Sequence, residues 1–216
     1  MKGLAPKVSK YIERISRLEC LRPYVLVGGT ALSLQIGTRE SEDLDFMSWR
    51  KDNLEKREVD WPTIKKELAE IGKVEKIEIF DLDHVEFMVE GVKLSFYANP
   101  NYSPLVEVIP FLNNIRLADK KSIGAMKMEV MMRRSKFRDY YDIYSLIKDG
   151  QDLKEMIGMA LKYSGHKMKS KNLIAMLTCS ERFVPDAKFA TLNPIYNVTP
   201  AEVEAELKAY LADHNF

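Results

Sequence analysis

Two hydrophobic periodicities divide the chain. Over residues 7–21, Val8, Tyr11, Ile12, Ile15 and Leu18 recur at helical spacing among charges, which predicts an amphipathic helix ended by Arg22-Pro23. The short apolar run Val25-Leu26-Val27, closed by Gly28-Gly29, predicts a buried strand entering a tight turn and then a helix over residues 31–36. Leu44 and Phe46 alternate with Asp43 and Asp45, again as in a strand. Residues 47–53 lose periodicity and predict a polar loop. Trp61-Pro62-Thr63 opens a helix that Gly72 stops.

From Lys73 the alternation returns in three runs: Val74, Ile77, Ile79; then Val85, Phe87, Val89; then Val92, Leu94, Phe96. Breaks at Asp81-Leu82-Asp83-His84 and Glu90-Gly91 make this an antiparallel meander. Residues 99–104 predict a turn-rich connection, and residues 105–109 and 115–118 short strands. From Asp119 the period becomes helical. Helices are expected from Asp119 or Ser122 through about Arg134, over 137–147, 152–163 and 171–178, and over 199–211, where Thr199-Pro200 supplies a cap and a first-turn proline. The pattern predicts an α/β core with a mixed sheet and flanking helices over residues 1–118, followed by a helical domain over residues 119–216.

Composition narrows the classes. Hydrophobic content of 46% and charged content of 30% are those of a globular protein, and 216 residues suffice for a core with a helical extension. The formal net charge of +1 excludes a wholly basic nucleic-acid binder. No apolar run approaches the roughly 18 residues of a membrane span, and residues 1–7 lack the apolar core of a signal peptide. The separated Cys20 and Cys179 fit reduced thiols in a cytoplasmic protein.

The candidate chemistry sits at residues 28–45. Alternate strand residues share a face about 7 Å apart, so Asp43 and Asp45 point the same way. Two such carboxylates repel each other unless a cation sits between them, and a hard divalent ion such as Mg²⁺ takes oxygen ligands of this kind. The glycines permit close backbone approach, and the following helix N-terminus suits phosphate. Phosphate donors beside paired carboxylates are what phosphoryl transfer needs.

Gly28-Gly29-Thr30-Ala31-Leu32, then Arg39-x-Ser41-x-Asp43-Leu44-Asp45-Phe46, resembles the nucleotidyltransferase superfamily, and more specifically the AbiEii-type nucleotidyltransferase toxins of abortive-infection toxin–antitoxin systems. A second string is similar to what those toxins carry after their sheet: Lys127-x-Glu129, Arg133-Arg134, then Arg138-Asp139-x-x-Asp142-x-x-x-Leu146. The resemblance implies transfer of a nucleotidyl group from an NTP to tRNA, another nucleic acid or a protein hydroxyl. It also implies Mg²⁺ on Asp43 and Asp45, a cognate antitoxin, and phosphates cradled by Gly28, Gly29 and Thr30. Lys127 and Arg39 would neutralise those phosphates, and Asp139 would act as catalytic acid or base in the same cleft.

One position departs from the pattern. Active members carry a third carboxylate on a later strand, and the matching residue here is Ser95, a neutral and weak ligand. Glu86 or Glu90 is a candidate substitute. The departure leaves a nucleotide-binding module without transfer as the alternative, and kinase-like phosphotransfer as a third reading. Three local features remain open on the residues alone. Trp49 suits a base or a core edge, and His84 a ligand or an exposed turn. Asp142 suits the site or a lattice of ion pairs between helices. Residues 115–148 hold nine Lys or Arg against four acids, an excess that suits a polyanion. The basic run from His166 to Lys171 suits a second contact or a solvated loop.

Overall fold

The computed structural model describes residues 1–52, 58–165 and 168–214. The chain separates into two compact units, Met1–Asp119 and Lys120–Phe216.

The first unit is built on a seven-stranded mixed sheet. Its strands are β1 (Val25–Val27), β2 (Asp43–Arg50), β3 (Val74–Asp81), β4 (His84–Val89), β5 (Val92–Tyr102), β6 (Val108–Leu112) and β7 (Ile115–Ala118), in the order β3-β4-β5-β2-β1-β7-β6. β3, β4 and β5 form the expected meander, whereas β5 pairs with β2 in parallel and β1 with β2 antiparallel. The registers Leu44↔Leu94↔Phe87 and Phe46↔Phe96↔Val85 align one apolar face across three strands, and all six side chains are buried. Phe96 stacks on Phe46 at 5.3 Å and meets Phe87 edge-on at 5.8 Å. Burying each such side chain contributes about 1.5–3 kcal/mol, so this face fixes the register. Helices α1 (Pro6–Ile15) and α3 (Trp61–Ile71) pack on each other, α3 also against β3 and β4.

Several boundaries move for physical reasons. Residues 47–50 continue β2 rather than forming a polar loop, because Met47, Ser48 and Trp49 pair with Tyr97, Ala98 and Asn99. Asn53, the last residue of that expected loop, lies outside the described residues. The same pairing carries β5 through Asn99-Pro100-Asn101 to Tyr102, where composition predicts turns. Helix α2 (Gly28–Ile36) begins at the glycines, three residues earlier than expected. The strand expected at 105–109 is β6, starting at Val108.

The second unit is helical: α4 (Lys120–Val130), α5 (Phe137–Lys148), α6 (Leu153–Tyr163), α7 (Ser170–Leu177) and α8 (Pro200–Asp213). Asp152 caps α6, and Thr199 with Glu202 forms the capping box of α8. α4 stops at Val130, short of the expected Arg134. The backbone of 135–137 is held extended there by an isolated bridge, with Val184 N–H donating to Ser135 and Phe137 N–H to Val184. His166 and Lys167 of the basic run lie outside the described residues. Among the described residues, no helix is long and apolar enough to cross a membrane.

Candidate active site

The strand registers convert residues distant in sequence into a grid on the sheet face opposite the phenylalanines. One row is Asp43, Lys93 and Met88; the next is Asp45, Ser95 and Glu86; the third is Met47, Tyr97 and His84. Rows are about 7 Å apart along the strands, and neighbours within a row about 4.8 Å. Asp43 and Asp45 do share a face, and Ser95 faces the same way, directly beside Asp45. Glu86 brings a third carboxylate to this face, its Oε1 3.5 Å from Ser95 Oγ. Glu90 does not: it occupies the β4–β5 turn and accepts from Lys73 N–H and the Tyr11 hydroxyl.

Lys93 is the group that motif reading missed. Its Nζ lies 3.8 Å from Asp43 Oδ2 and 3.6 Å from Glu86 Oε1. One ammonium faces three carboxylates, and the imbalance falls on Asp45. Burial pushes the Asp45 carboxyl up from its ordinary value; Asp43 and Glu86 add to the shift, while Lys93 and the Ser95 hydrogen bond oppose it. Lys93 was legible in principle, because it stands two residues before Ser95 in an alternating run.

The glycine turn is built around Asp45. Gly28 has φ +69°, and a Cβ there would meet Asp45 Oδ2 at 3.1 Å. Gly28 is therefore required both for its left-handed backbone and for the carboxylate pressed against it. At Gly29 a Cβ would lie 2.6 Å from an Arg39 guanidinium nitrogen and 3.3 Å from Ser41 Oγ. Arg39 is buried and donates to the Glu40 carbonyl. Thr30 is buried too: its hydroxyl lies 2.8 Å from Ser41 Oγ and donates to the Asp43 carbonyl. Thr30 and Ser41 thus fasten the head of α2 to the start of β2, with the buried Arg39 packed against Gly29, so the Arg39 and Thr30 side chains expected to serve phosphates stand at the glycine turn. Thr30→Val keeps the shape and removes the tie. We expect it to cost about 1–3 kcal/mol in chemical denaturation, the penalty for leaving the Asp43 carbonyl short of a donor.

In the second unit, Lys127 on α4 meets Asp139 and Asp142 on α5. Its Nζ is 3.1 Å from Asp139 Oδ1 and 2.6 Å from Asp142 Oδ2, with the lysine side chain 8% exposed and both aspartates 1%. Arg134 Nε also donates to Asp139, at 3.1 Å, from a side chain that is 50% exposed. The three-residue spacing of Asp139 and Asp142 does place both on one helix face, aimed at a single ammonium. Arg138 pairs with Asp186.

The profile of the AbiEii nucleotidyl transferase toxin, of type IV toxin–antitoxin systems, matches residues 11–214. The chain belongs to the AbiEii nucleotidyltransferase toxin family. An uncharacterised protein of Aquifex aeolicus (strain VF5) is 27% identical over 219 residues, covering 98% of this chain and 99% of that one. The fold is similar to that of MenT4, a nucleotidyltransferase toxin of Mycobacterium tuberculosis H37Rv, with a TM-score of 0.60 at 16% identity, over 94% of this chain and 82% of the other. It is also similar to JHP933 of Helicobacter pylori, with a TM-score of 0.54 at 21% identity, over 97% and 92%.

AbiEii membership makes the chain a nucleotidyltransferase-type toxin, implies a nucleotide substrate and an antitoxin partner, and belongs with general use of a divalent metal. The donors present fit such an ion. Asp43 and Asp45 offer hard oxygens on one face, and burial, the main cause of the raised Asp45 carboxyl, disfavours its charge where no cation is bound. Among the described residues, no group of three His, Cys, Asp or Glu side chains is arranged to hold a metal alone.

Proposed function

We propose that the protein transfers a nucleotidyl group from an NTP to a hydroxyl of a nucleic acid, such as tRNA, or of a protein, in the cytoplasm, where an antitoxin restrains it. The observation that carries this is Asp45. It shares a face with Asp43 and is pressed against Gly28 at the head of α2, so paired carboxylates and orphan helix N–H groups meet at one point. Asp43 and Asp45 would hold Mg²⁺, which when bound neutralises charge on the phosphates. The N–H groups of Gly28, Gly29 and Thr30 would donate to phosphate oxygens. Lys93 would hold Asp43 and Glu86 apart from their mutual repulsion, leaving Asp45 as the least compensated ligand.

Lys127 and Asp139 enter the proposal as a charge-paired unit. Asp139 and Asp142 hold the ammonium between them, and its third N–H would serve a phosphate oxygen. Asp139 would accept the proton of the acceptor hydroxyl once Arg134, whose side chain is half exposed, swings away. The acceptor oxygen then bonds to the α-phosphorus, and pyrophosphate leaves.

The test is incubation with each α-labelled NTP, total tRNA and Mg²⁺, scoring label in the acceptor and pyrophosphate release, with Asp43→Ala as control. Label in tRNA or protein with equimolar pyrophosphate, lost in the variant, supports the reading. Nucleotide binding without label would instead support a binding module, which the placement of Ser95 directly beside Asp45 favours as the second reading. Label moving only from the γ-position would mean kinase-like transfer.

A further inference from the structure

The third row of the grid ends in a stack of aromatic rings that the transfer chemistry does not use. His84 lies between Phe80 and Tyr97, with centroids 4.5 Å and 4.2 Å away and planes within 16° and 19° of parallel. His84 pairs in register with Tyr97, and Glu86 with Ser95, so the stack stands one row from the Asp45–Ser95–Glu86 row on the same face. The buried His84 Nε2 has no hydrogen-bond partner and lies 3.5 Å from Glu86 Oε1. The stack ends at Phe80, which is 59% exposed, and Ile79 and Leu82 beside it are exposed as well.

β3 is an edge strand. Exposed apolar side chains on a sheet edge invite aggregation, so their presence calls for a ligand that covers them. A patch of branched aliphatics alone would suit any apolar partner. Three near-parallel rings suit something narrower: a flat π-system that continues the stack on the open face of Phe80. Every nucleobase has such a face, and stacking on aromatic side chains is the sequence-tolerant way to hold one. The carboxylates suited to a cation stand on the same face, in the neighbouring row and nearer the middle of the sheet.

We propose that Phe80, His84 and Tyr97 form a nucleobase-stacking platform that seats the base of the NTP or the unpaired terminal base of the acceptor strand. The inference rests on the carboxylate face handling phosphates, as argued under the proposed function. Trp49, the other aromatic that the sequence offered for a base, is buried.

The probes are 2-aminopurine riboside, 2-aminopurine riboside triphosphate, a single-stranded oligonucleotide ending in 2-aminopurine, and tripolyphosphate with Mg²⁺. Phe80→Ala, Phe80→Leu and Phe80→Trp are compared with the full chain. Because Phe80 is largely exposed, these variants should fold, which circular dichroism checks. Phe80→Ala and Phe80→Leu should each weaken binding of a base-bearing probe by on the order of 10- to 100-fold, Phe80→Trp should retain it, and tripolyphosphate should be unaffected. Loss confined to the triphosphate assigns the NTP base, and loss confined to the oligonucleotide assigns the acceptor. Unchanged affinity in Phe80→Ala, full retention in Phe80→Leu, or no binding of any base-bearing probe overturns the platform. Failure of tripolyphosphate binding in the unaltered protein, with riboside binding intact, would count against the phosphate reading and leave the platform standing.

Discussion

Asp45→Asn is expected to abolish nucleotidyl transfer and at the same time raise the melting temperature at neutral pH. The two effects have one cause. Asp45 sits in a place that disfavours its charged form, with burial raising its pKa and Asp43 and Glu86 adding to the rise. When folding raises the pKa of an acid, the native state binds more protons than the unfolded state between the two values. Stability therefore falls as pH climbs from the ordinary carboxylate value, about 3.9, through the raised one, and stays reduced above it. Asparagine removes that cost. The gain in melting temperature should vanish below about pH 4 and grow as pH rises above it towards the raised value. Transfer should drop by on the order of 100-fold or more, since a lost cation ligand removes several kcal/mol of charge stabilisation. Asp43→Asn should lose transfer similarly but gain less stability, because its side chain is 43% exposed. Calorimetry across pH on both variants checks the claim, and a lower melting temperature for Asp45→Asn at pH 7 would show that the Asp45 charge is well paired.

The aspartate pair and the glycine turn were readable from sequence because both lie within one local string. The same string does not separate two roles for Arg39 and Thr30, holding phosphate and holding the turn. A motif marks which residues build a phosphate turn without separating those that touch the ligand from those that shape the loop, and both side chains here are buried at the turn. Lys93 stayed hidden, and Glu86 stood level with Glu90, for another reason. Their alternation was visible, but their place beside Asp43 and Asp45 depends on a parallel β2–β5 pairing between segments some fifty residues apart. That pairing also overrode local chemistry at Asn99-Pro100-Asn101, where turn formers sit in a strand extended by its partner. In the helical unit, periodicity and caps placed α6 and α8 closely. The early end of α4 required the backbone bridge to Val184, which no local signal carries.

Lys127→Met should be the most destabilising of the substitutions considered, and it also separates structure from function at the second motif. Its ammonium sits between Asp139 and Asp142, both buried, and removing it leaves two carboxylates 1% exposed with Arg134 bonded only to the first of them. Breaking a buried ion pair from one side costs about 3–5 kcal/mol, against less than about 0.5 kcal/mol for Lys136→Ala in the extended segment before α5. Replacing a buried pair on both sides with apolar groups is often neutral, so Lys127→Met with Asp142→Leu should recover most of the loss, Asp139 keeping Arg134. If Lys127 serves phosphates, the refolded double variant should still be inactive and bind triphosphate on the order of 10-fold or more weakly, whereas Lys136→Ala should bind almost normally. Stability by urea denaturation and affinity by calorimetry, measured on the same three variants, decide between the roles. A double variant that folds, binds and transfers like the unaltered protein would make the cluster a brace between α4 and α5, with the phosphate-binding cation elsewhere.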